Sequence, residues 1–236
     1  MQNYIKNVVF KENQERYNEL VELSEKIKKI KIQNKPYLIE FLGSCRSGKS
    51  TSIKLIADVL RKNGLNVLIV DEEQVKLTKT INENREKKMN IDSLNYTNNV
   101  IQEKLIMYDN FYEQNVDIII FDRGINDEFI WLNTFEADEK ELEEYNQKLS
   151  NRRVDLLIIL TCDVDVSLKR KYFNSLSVMS NKWTNPDIMS KYLESLDIVS
   201  KYFDIHAKKI ERFDSSNIDK IESALNICNK IIDNIS

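Results

Sequence analysis

The stretch IEFLGSCRSGKST, residues 39–51, decides the fold of this chain. From Gly43 to Ser50 it fits the pattern G-x-x-x-x-G-K-[ST] at every required position, between an apolar strand pattern and a helical pattern. Glycines let the backbone curl so that successive N–H groups point at one anion, and the start of the following helix adds its positive end. The sequence therefore predicts a phosphate-binding loop for a nucleoside triphosphate.

The side chains of this loop have separate predicted roles. Lys49 is expected to reach the β- and γ-phosphates of ATP, and the Ser50 hydroxyl is expected to bind Mg²⁺. Cys45 is interpreted as a small residue in a tight turn, with a redox role as the alternative. The predicted nucleotide-binding set in the loop is Gly43, Ser44, Cys45, Arg46, Ser47, Gly48, Lys49, Ser50 and Thr51.

Five short β-rich runs and the helical patterns between them predict the architecture. The runs cover residues 37–42, 66–70, 116–121, 154–161 and 209–213. The helical patterns cover residues 50–63, 92–114, 127–149, 186–207 and 217–234. The middle three runs are nearly continuous in Val, Ile and Leu, as expected of strands covered on both faces. Alternation with long crossovers predicts an α/β fold with a doubly wound, five-stranded parallel sheet.

Chain length and composition indicate the number of domains and the cellular location. The 236 residues, 42% of them apolar, suit one α/β domain at 35–236 with an N-terminal helical arm at 1–34. No apolar run approaches the roughly 20 residues that span a bilayer, and the amino terminus lacks the order of a secretory signal. A cytoplasmic protein without a membrane partner is therefore expected.

Charge, cysteine and histidine content narrow the chemistry further. A net charge of −3 argues against a broad nucleic-acid surface. Cys45, Cys162 and Cys228 are too few and too far apart to predict a disulfide framework or a zinc site. His206 is the only histidine and is expected to pack or cap, so a carboxylate is expected to be any general base.

The motif DIIIFDRG, residues 117–124, places Asp122 at the carboxyl end of the third strand, where ligands of parallel sheets gather. Asp122 is the predicted second Mg²⁺ partner beside Ser50, or else a cap for the next turn. An ATP-hydrolysing motor commonly has a carboxylate next, but this chain has Arg123. Unless Arg123 is a surface loop residue, its guanidinium suits an acceptor phosphate or the transferred group.

The GTP-binding alternative rests on two imperfect matches. DRGI has its glycine one position too early for the D-x-x-G pattern of GTPases. NKWT, residues 181–184, ends in Thr184, whereas the guanine-reading pattern N-K-x-D ends in an aspartate. Specific GTP binding is therefore disfavoured.

In motif order over residues 37–234, the chain resembles the P-loop kinases of small acceptors, particularly the thymidylate kinase and deoxynucleoside kinase group. GSCRSGKST matches the phosphate loop, and FDRGINDEFIWL resembles the Asp-Arg motif with its acceptor-site helix. RRVDLLIILTCDVDVSLKRKYF resembles the fourth strand and the start of the lid. NPDIMSKYLESLDIVSKYF and IERFDSSNIDKIESALNICNKII resemble the helix after the lid and the last strand and helix.

The resemblance implies roles for residues beyond the phosphate loop. Arg170 would be the lid arginine that clamps phosphates, in a lid around 170–185, unless it lies on a solvated helix face. Asp214, Ser215 and Ser216 would lie against the adenine. Glu72, chosen among three adjacent carboxylates at 71–73, would act as the base toward the acceptor.

The chain also departs from that family's pattern. Leu42 stands where those kinases usually carry a glutamate, and Glu40 lies two residues earlier. A charged residue inside a central strand requires a partner. The second lid arginine and the proline-glycine signature of thymidylate kinases have no clear counterparts. The resemblance therefore supports the fold better than the substrate.

Together these features predict an ATP- and Mg²⁺-dependent phosphotransferase. Lys49, Asp122, Arg123, Arg170 and Glu72 are its predicted catalytic residues. The acceptor is expected to be a nucleoside, a nucleoside monophosphate or a similar small molecule. The alternatives are an ATPase or nucleotide switch that regulates a partner, a kinase of nucleic-acid ends, and a module that holds nucleotide without turnover. The oligomeric state is left open, with a homodimer among the options.

Overall fold

The computed structural model describes residues 18–19, 21–29, 35–70, 101–102, 104–110, 115–173 and 186–235, with the side chains of 171–173 left aside. Its strands are β1 (Tyr37–Leu42), β2 (Val67–Val70), β3 (Ile118–Asp122), β4 (Val154–Thr161) and β5 (Ala207–Asp214). Its helices are α1 (Lys49–Lys62), α2 (Ile125–Thr134), α3 (Glu139–Ser150), α4 (Val164–Phe173), α5 (Pro186–Val199), α6 (Phe203–His206) and α7 (Lys220–Ile235). Residues 21–27 and 104–110 are also helical.

The five strands form one parallel sheet in the order β2-β3-β1-β4-β5. The predicted five-stranded, parallel α/β fold is therefore confirmed. Because β1 pairs with β3, with Phe41 opposite Asp122, the loop that follows β1 lies next to the residues that follow β3. This order brings the two predicted site motifs to the same edge of the sheet.

Helices cover both faces of the sheet, as the alternation of buried residues along β1 shows. Ile39 and Phe41 pack on the face covered by α1, α7 and residues 21–27. Leu38 and Leu42 pack on the other face, with α2, α3, α5 and residues 101–108. Since side chains of a strand point alternately to its two faces, Glu40 is directed to this second face.

The helix predicted over 127–149 is wrong as one element, because α2 ends at Thr134 and α3 starts at Glu139. Glu136 has a left-handed backbone conformation with φ +63°. Its N–H donates to the carbonyl of Asn133, and the next N–H donates to that of Leu132. This pattern closes a helix, and glycine usually fills the left-handed position. Here a glutamate fills it, so the expected glycine signal is missing.

A capping box starts α3. The Asp138 side chain accepts a hydrogen bond from the Glu141 N–H, and the Glu141 side chain accepts one from the Asp138 N–H. Such reciprocal bonds satisfy N–H groups that the first helical turn leaves without partners.

The helix predicted over 186–207 also differs in its second half. It ends at Val199, continues as a 3₁₀ turn (Ser200–Tyr202) and the short α6, and β5 begins directly at Ala207. Of the helix predicted over 92–114, the described residues 101–102 and 104–110 are helical, and the others lie outside the described ranges.

The described part of the predicted arm packs on the domain. Leu23 and Ile27 are buried in the core cluster that also contains Ile53 and Ile231. The division into an arm at 1–34 and a domain at 35–236 stays a prediction. Among the described residues, no helix is both long enough and apolar enough to cross a bilayer.

Candidate active site

The lysine of the phosphate loop is buried at the start of α1. Lys49 Nζ donates to the carbonyl oxygens of Gly43 at 2.8 Å and Ser44 at 2.7 Å. Its side chain is only 4% exposed. Burial, and next the nearby Arg123 guanidinium, lower the pKa of Lys49 to about 8. Two cations held together in a buried place favour an anion as ligand.

The first glycine of the loop lies directly against β4. A Cβ atom at Gly43 would stand 1.9 Å from the carbonyl oxygen of Leu160, and the φ of Gly43 is +138°. Any side chain there would displace the loop from the sheet. The Gly43 N–H faces Asp127 Oδ1 at 3.4 Å, which joins the loop to α2.

The two predicted metal ligands are adjacent. Ser50 Oγ in α1 donates to Asp122 Oδ2 at the end of β3, with a distance of 2.5 Å. A hydroxyl and a carboxylate are oxygen ligands of the kind that Mg²⁺ takes beside a nucleotide. The donor set therefore fits Mg²⁺, and the metal role of both residues stays a prediction.

Arg46 supplies a further indication that the loop binds an anion. Its Nε and Nη1 atoms are buried and have no hydrogen-bond partner among the described residues. Its φ of +59° is unusual for a residue with a side chain. Buried charged donors are costly without a partner, and nucleotide phosphate would satisfy them.

Arg123 lies between α2 and the phosphate loop. Its Nη1 donates to Asp127 Oδ2 at 2.8 Å, and its Nη2 lies 3.8 Å from Cys45 Sγ in the loop. Its backbone is left-handed, with φ +66°, and its N–H donates to the carbonyl of Phe41 at 3.0 Å. A strained backbone conformation of this kind persists when its surroundings hold it, and it clusters at functional sites.

Asp127 is the central acceptor of this site, and sequence reasoning missed it. Its carboxylate is fully buried and accepts hydrogen bonds from Arg123, from the Tyr192 hydroxyl at 2.6 Å and from Trp131 Nε1 at 3.1 Å. Burial alone would raise the pKa of Asp127, but Arg123 and then Lys49 hold it below its ordinary value. The available signal was a carboxylate four residues after Arg123, in the first turn of the helix that follows the Asp-Arg motif.

Lys104 is the second residue that sequence reasoning missed. Its buried Nζ donates to the carbonyl of Arg123 at 2.6 Å, to that of Gly124 at 3.2 Å and to Glu128 Oε1 at 2.6 Å. These bonds fix the backbone that carries Arg123. The signal was a lysine three residues after Ile101 and four before Tyr108, which places it on the same helix face as these two buried residues.

A cleft lies beside Arg123 at the carboxyl ends of β2 and β3. Its empty volume of about 220 Å³ includes open solvent, and only about 10 Å³ of it can hold the centre of a water molecule. Its lining consists of Val70, Lys104, Met107, Tyr108, Phe121, Arg123 and Gly124. The Tyr108 and Phe121 rings are stacked with centroids 4.1 Å apart. The cleft therefore offers apolar and aromatic surface next to a guanidinium.

Glu40, the charged residue inside the central strand, has the partners that its position requires. Its Oε1 accepts the backbone N–H of Asn126 at 2.8 Å and of Asp127 at 3.2 Å. Its Oε2 accepts from Asn126 Nδ2 at 2.8 Å and from the Tyr108 hydroxyl at 3.0 Å. Complete burial raises the pKa of Glu40 to about 7.

His206 extends the same buried network and lies outside the phosphate loop, as its expected packing role requires. Its Nδ1 lies 2.9 Å from Asn126 Oδ1, and its Nε2 lies 2.8 Å from Asn146 Oδ1. Burial lowers the pKa of His206 to about 4. At neutral pH the imidazole is neutral and has one N–H. Because Asn126 Nδ2 donates to Glu40, Asn126 Oδ1 faces the ring and His206 Nδ1–H donates to it, so Nε2 must accept from the Asn146 amide group.

The opposite pKa shifts of Glu40 and His206 predict a specific pH dependence of stability. The pKa of Glu40 is about 7 in the folded protein and 4.5 in the unfolded chain, so the folded state binds the proton more tightly. This difference stabilises the fold fully below pH 4.5, and the stabilisation is lost as the pH rises from 4.5 to about 7. The pKa of His206 is about 4 in the folded protein and 6.5 in the unfolded chain, so the unfolded state binds the proton more tightly. His206 therefore stabilises the fold fully above pH 6.5, and this stabilisation is lost as the pH falls from 6.5 to about 4. Each shift corresponds to about 3 kcal/mol, and the two offset each other where the windows overlap.

Single substitutions should separate the two opposing effects of pH on the free energy of unfolding. Relative to the wild type, the free energy of unfolding of Glu40→Gln is expected to rise with pH between 4.5 and 6.5, and that of His206→Gln to fall. Urea unfolding across this window measures both differences. Parallel curves for the wild type and both variants would contradict the coupling.

On the other side of the loop, Arg170 and Ser215 hold the loop backbone. Arg170 Nη1 donates to the Arg46 carbonyl at 3.0 Å, and its Nη2 donates to the Ser215 carbonyl at 2.6 Å. Ser215 Oγ donates to the Ser47 carbonyl at 2.7 Å. Arg170 is thus directed to the phosphate loop and not to solvent, and its phosphate-clamping role stays a prediction.

Of the remaining predicted site residues, Asp214, Ser216 and Thr51 lie in the described part of the chain, and Glu72 does not. Asp214 accepts from Ser216 in the exposed turn after β5, at the same edge as the loop, and Thr51 is exposed in the first turn of α1. Glu72 and its neighbours at 71–73 lie outside the described residues, as do the lid positions 174–185.

The chain is similar in sequence to a curated nucleotide kinase. It is 26% identical over 185 residues to the probable thymidylate kinase of Sulfurisphaera tokodaii, covering 75% of this chain and 95% of that relative. The resemblance to the thymidylate and deoxynucleoside kinase group is thus confirmed, and with it the enzyme class, a P-loop kinase.

Solved structures support the same fold. Thymidylate kinase from Candida albicans matches with a TM-score of 0.65 at 15% identity, covering 86% of this chain and 94% of that one. Thymidylate kinase from Ehrlichia chaffeensis matches with 0.58 at 18% identity, covering 84% and 98%. Deoxyadenosine kinase from M. mycoides matches with 0.56 at 18% identity, covering 82% and 98%.

A family model described as an AAA domain, AAA_28, matches residues 38–172. This range runs from β1 through the phosphate loop and the Asp-Arg motif to α4, and it is more than half of the chain. The chain belongs to the AAA_28 family.

Proposed function

We propose that this protein transfers the γ-phosphoryl group of ATP, with Mg²⁺, to a nucleoside, a nucleoside monophosphate or a similar small acceptor. One observation carries the proposal. Asp122 bonds to Ser50 of the phosphate loop, while the next residue, Arg123, lies against the same loop and lines a cleft. A donor site and an acceptor site would then share one guanidinium.

On the donor side, the loop N–H groups, Lys49 and the buried donors of Arg46 would bind the phosphates. Ser50 and Asp122 would hold Mg²⁺, which when bound neutralises charge on the β- and γ-phosphates. The Asp214–Ser216 turn would contact the adenine. The bonds from Arg170 to the Arg46 and Ser215 carbonyls would keep this turn at a fixed distance from the phosphate loop.

On the acceptor side, the cleft would take the acceptor. Its lining of Val70, Met107, Tyr108 and Phe121 suits a base or another flat, apolar group. Arg123 would face the reacting end of the acceptor and the transferred group. Glu72 as a base, a closing lid around 170–185, the cytoplasmic location and the homodimer stay predictions.

The names of the relatives set the first acceptors to test. Thymidylate and deoxyadenosine are the acceptors that the names of the similar kinases indicate. Purified protein with Mg-ATP should be incubated with pooled nucleosides, nucleotides and oligonucleotides, and the phosphorylated products identified by mass spectrometry. A new phosphorylated nucleoside or nucleotide is the expected result.

The other outcomes identify the competing functions. A phosphorylated oligonucleotide end would favour a polynucleotide kinase. ADP release that is equal with and without every acceptor would favour an ATPase or switch, and tight ATP binding without any ADP release would favour a module that holds nucleotide.

A further inference from the structure

We propose that Glu40 is a positioning residue for Arg123: its carboxylate caps the first turn of α2 and, through Asp127, sets the place of the Arg123 guanidinium at the phosphate loop. This inference rests on the proposed function for the role of Arg123. The hydrogen bonds of the Glu40 side chain go to Asn126, Asp127 and Tyr108, so Glu40 would act on Arg123 through Asp127 and touches the cleft through the Tyr108 hydroxyl.

The start of α2 has no cap of its own. The residue before the helix is Gly124, which has no side chain and makes no capping bond. The N–H groups of Asn126 and Asp127, in the first turn, donate to Glu40 Oε1 at 2.8 and 3.2 Å. These are the groups that an Asp or Ser at the capping position would usually satisfy. A carboxylate from β1 satisfies them here.

The space at Gly124 shows that α2 can be capped either by a side chain at position 124 or by the Glu40 carboxylate, but not by both. A Cβ atom on Gly124 would stand 2.4 Å from Glu40 Cδ and 2.3 Å from the Tyr108 hydroxyl oxygen. A capping side chain at position 124 therefore cannot coexist with the Glu40 carboxylate. The glycine leaves the position free for a carboxylate that belongs to the central strand.

The cap connects to the arginine through one residue. Asp127 is held to β1 and its loop twice, by its N–H on Glu40 and by its Oδ1 facing the Gly43 N–H. Its Oδ2 accepts from Arg123 Nη1 at 2.8 Å. If the first turn of α2 shifts, Asp127 shifts, and the guanidinium shifts with it. Misplacing a positioned group by about 1 Å can cost roughly 100-fold in rate.

Two substitutions of similar size separate positioning from charge. Glu40→Gln keeps an oxygen that can accept both N–H groups and puts an NH2 group only where Oε2 accepts from Asn126 Nδ2 and Tyr108, whereas Glu40→Met fills the space without any acceptor. Transfer kcat should fall by roughly 10- to 100-fold in Glu40→Met and stay near wild type in Glu40→Gln. The ATP dissociation constant, measured with a fluorescent ATP analogue, should be unchanged in both.

Nuclear magnetic resonance can measure directly how well the Arg123 side chain is ordered. The ¹⁵N order parameter of the Arg123 Nε–H group, assigned with Arg123→Lys, should fall in Glu40→Met and not in Glu40→Gln. Asp155→Asn is the matched control, because Asp155 is likewise a strand carboxylate that accepts a backbone N–H from another element, that of Leu38 at the start of β1, away from Arg123. This control should leave kcat and the Arg123 signal unchanged.

A second variant covers the case in which Glu40→Met does not fold. Gly124→Ala keeps the glutamate but would displace its carboxylate from the cap, together with the Tyr108 hydroxyl, and it should reproduce the loss of kcat and of Arg123 order. Tyr108→Phe, which removes only the hydroxyl, should leave the Arg123 order parameter unchanged. Equal effects of Met and Gln at position 40, or an Arg123 signal unchanged in Glu40→Met and Gly124→Ala, would overturn the inference. If the wild type phosphorylates no acceptor, the proposed function fails, and the Arg123 signal alone decides whether Glu40 positions it.

Discussion

Replacing Arg123 by alanine is expected to lower the rate of phosphoryl transfer by about 10³-fold, with ATP binding retained. The guanidinium would no longer compensate the charge that develops on the transferred group. The substitution also leaves the Asp127 carboxylate without the guanidinium 2.8 Å away, so a buried negative charge would remain where Arg123 met the transferred group. Initial rates of acceptor phosphorylation, together with ATP dissociation constants, measure both effects.

Two further variants separate these contributions. The double variant Arg123→Ala/Asp127→Ala removes the uncompensated carboxylate, so any recovery over Arg123→Ala reports the repulsion alone. Arg153→Ala is the matched control, because the Arg153 guanidinium donates to the backbone carbonyls of Asp204 and Ala207 near the amino end of β4, away from the phosphate loop. A full transfer rate in Arg123→Ala would remove this arginine from the reaction.

Replacing Lys49 by alanine is expected to abolish transfer. Its Nζ bonds to the carbonyls of Gly43 and Ser44, and its charge lies where the phosphates would bind, so the substitution removes both a loop contact and a cation. The loss should appear as no product above background in a single-turnover assay with saturating ATP.

The control for this substitution lies on the same helix. Lys54 is exposed on α1, so Lys54→Ala should transfer normally and shows that losing a lysine from this helix is harmless in itself. Product formation by Lys49→Ala at the wild-type rate would show that the loop does not carry the donor phosphates during transfer.

The sequence predicted correctly those features that are formed by consecutive residues. The phosphate loop is one continuous motif, and the buried strands are short Val/Ile/Leu runs, so both could be predicted with their bounds nearly correct. Asp122 followed from its place at the end of such a run. These elements needed no knowledge of what packs against them.

The parts that were missed depend on packing between distant segments. Asp127 and Lys104 acquire their partners only when β1, β3, α2 and residues 104–110 come together. Glu40 was expected to require a partner, but which groups would bond to it depends on the same packing. The break between α2 and α3 was missed because Glu136 takes a left-handed conformation that usually signals itself as glycine. The Asp138–Glu141 capping box was nevertheless visible in the sequence.

The fate of the terminal phosphate tests the central claim most directly. Wild-type protein should be given ATP labelled in the γ-phosphate, with and without the acceptor found by screening, and the label in acceptor and in inorganic phosphate should be counted against ADP. We predict that the label passes to the acceptor with one ADP formed per product, and that little ADP forms in its absence. Label that appears only in inorganic phosphate, at a rate that no acceptor changes, would contradict the account.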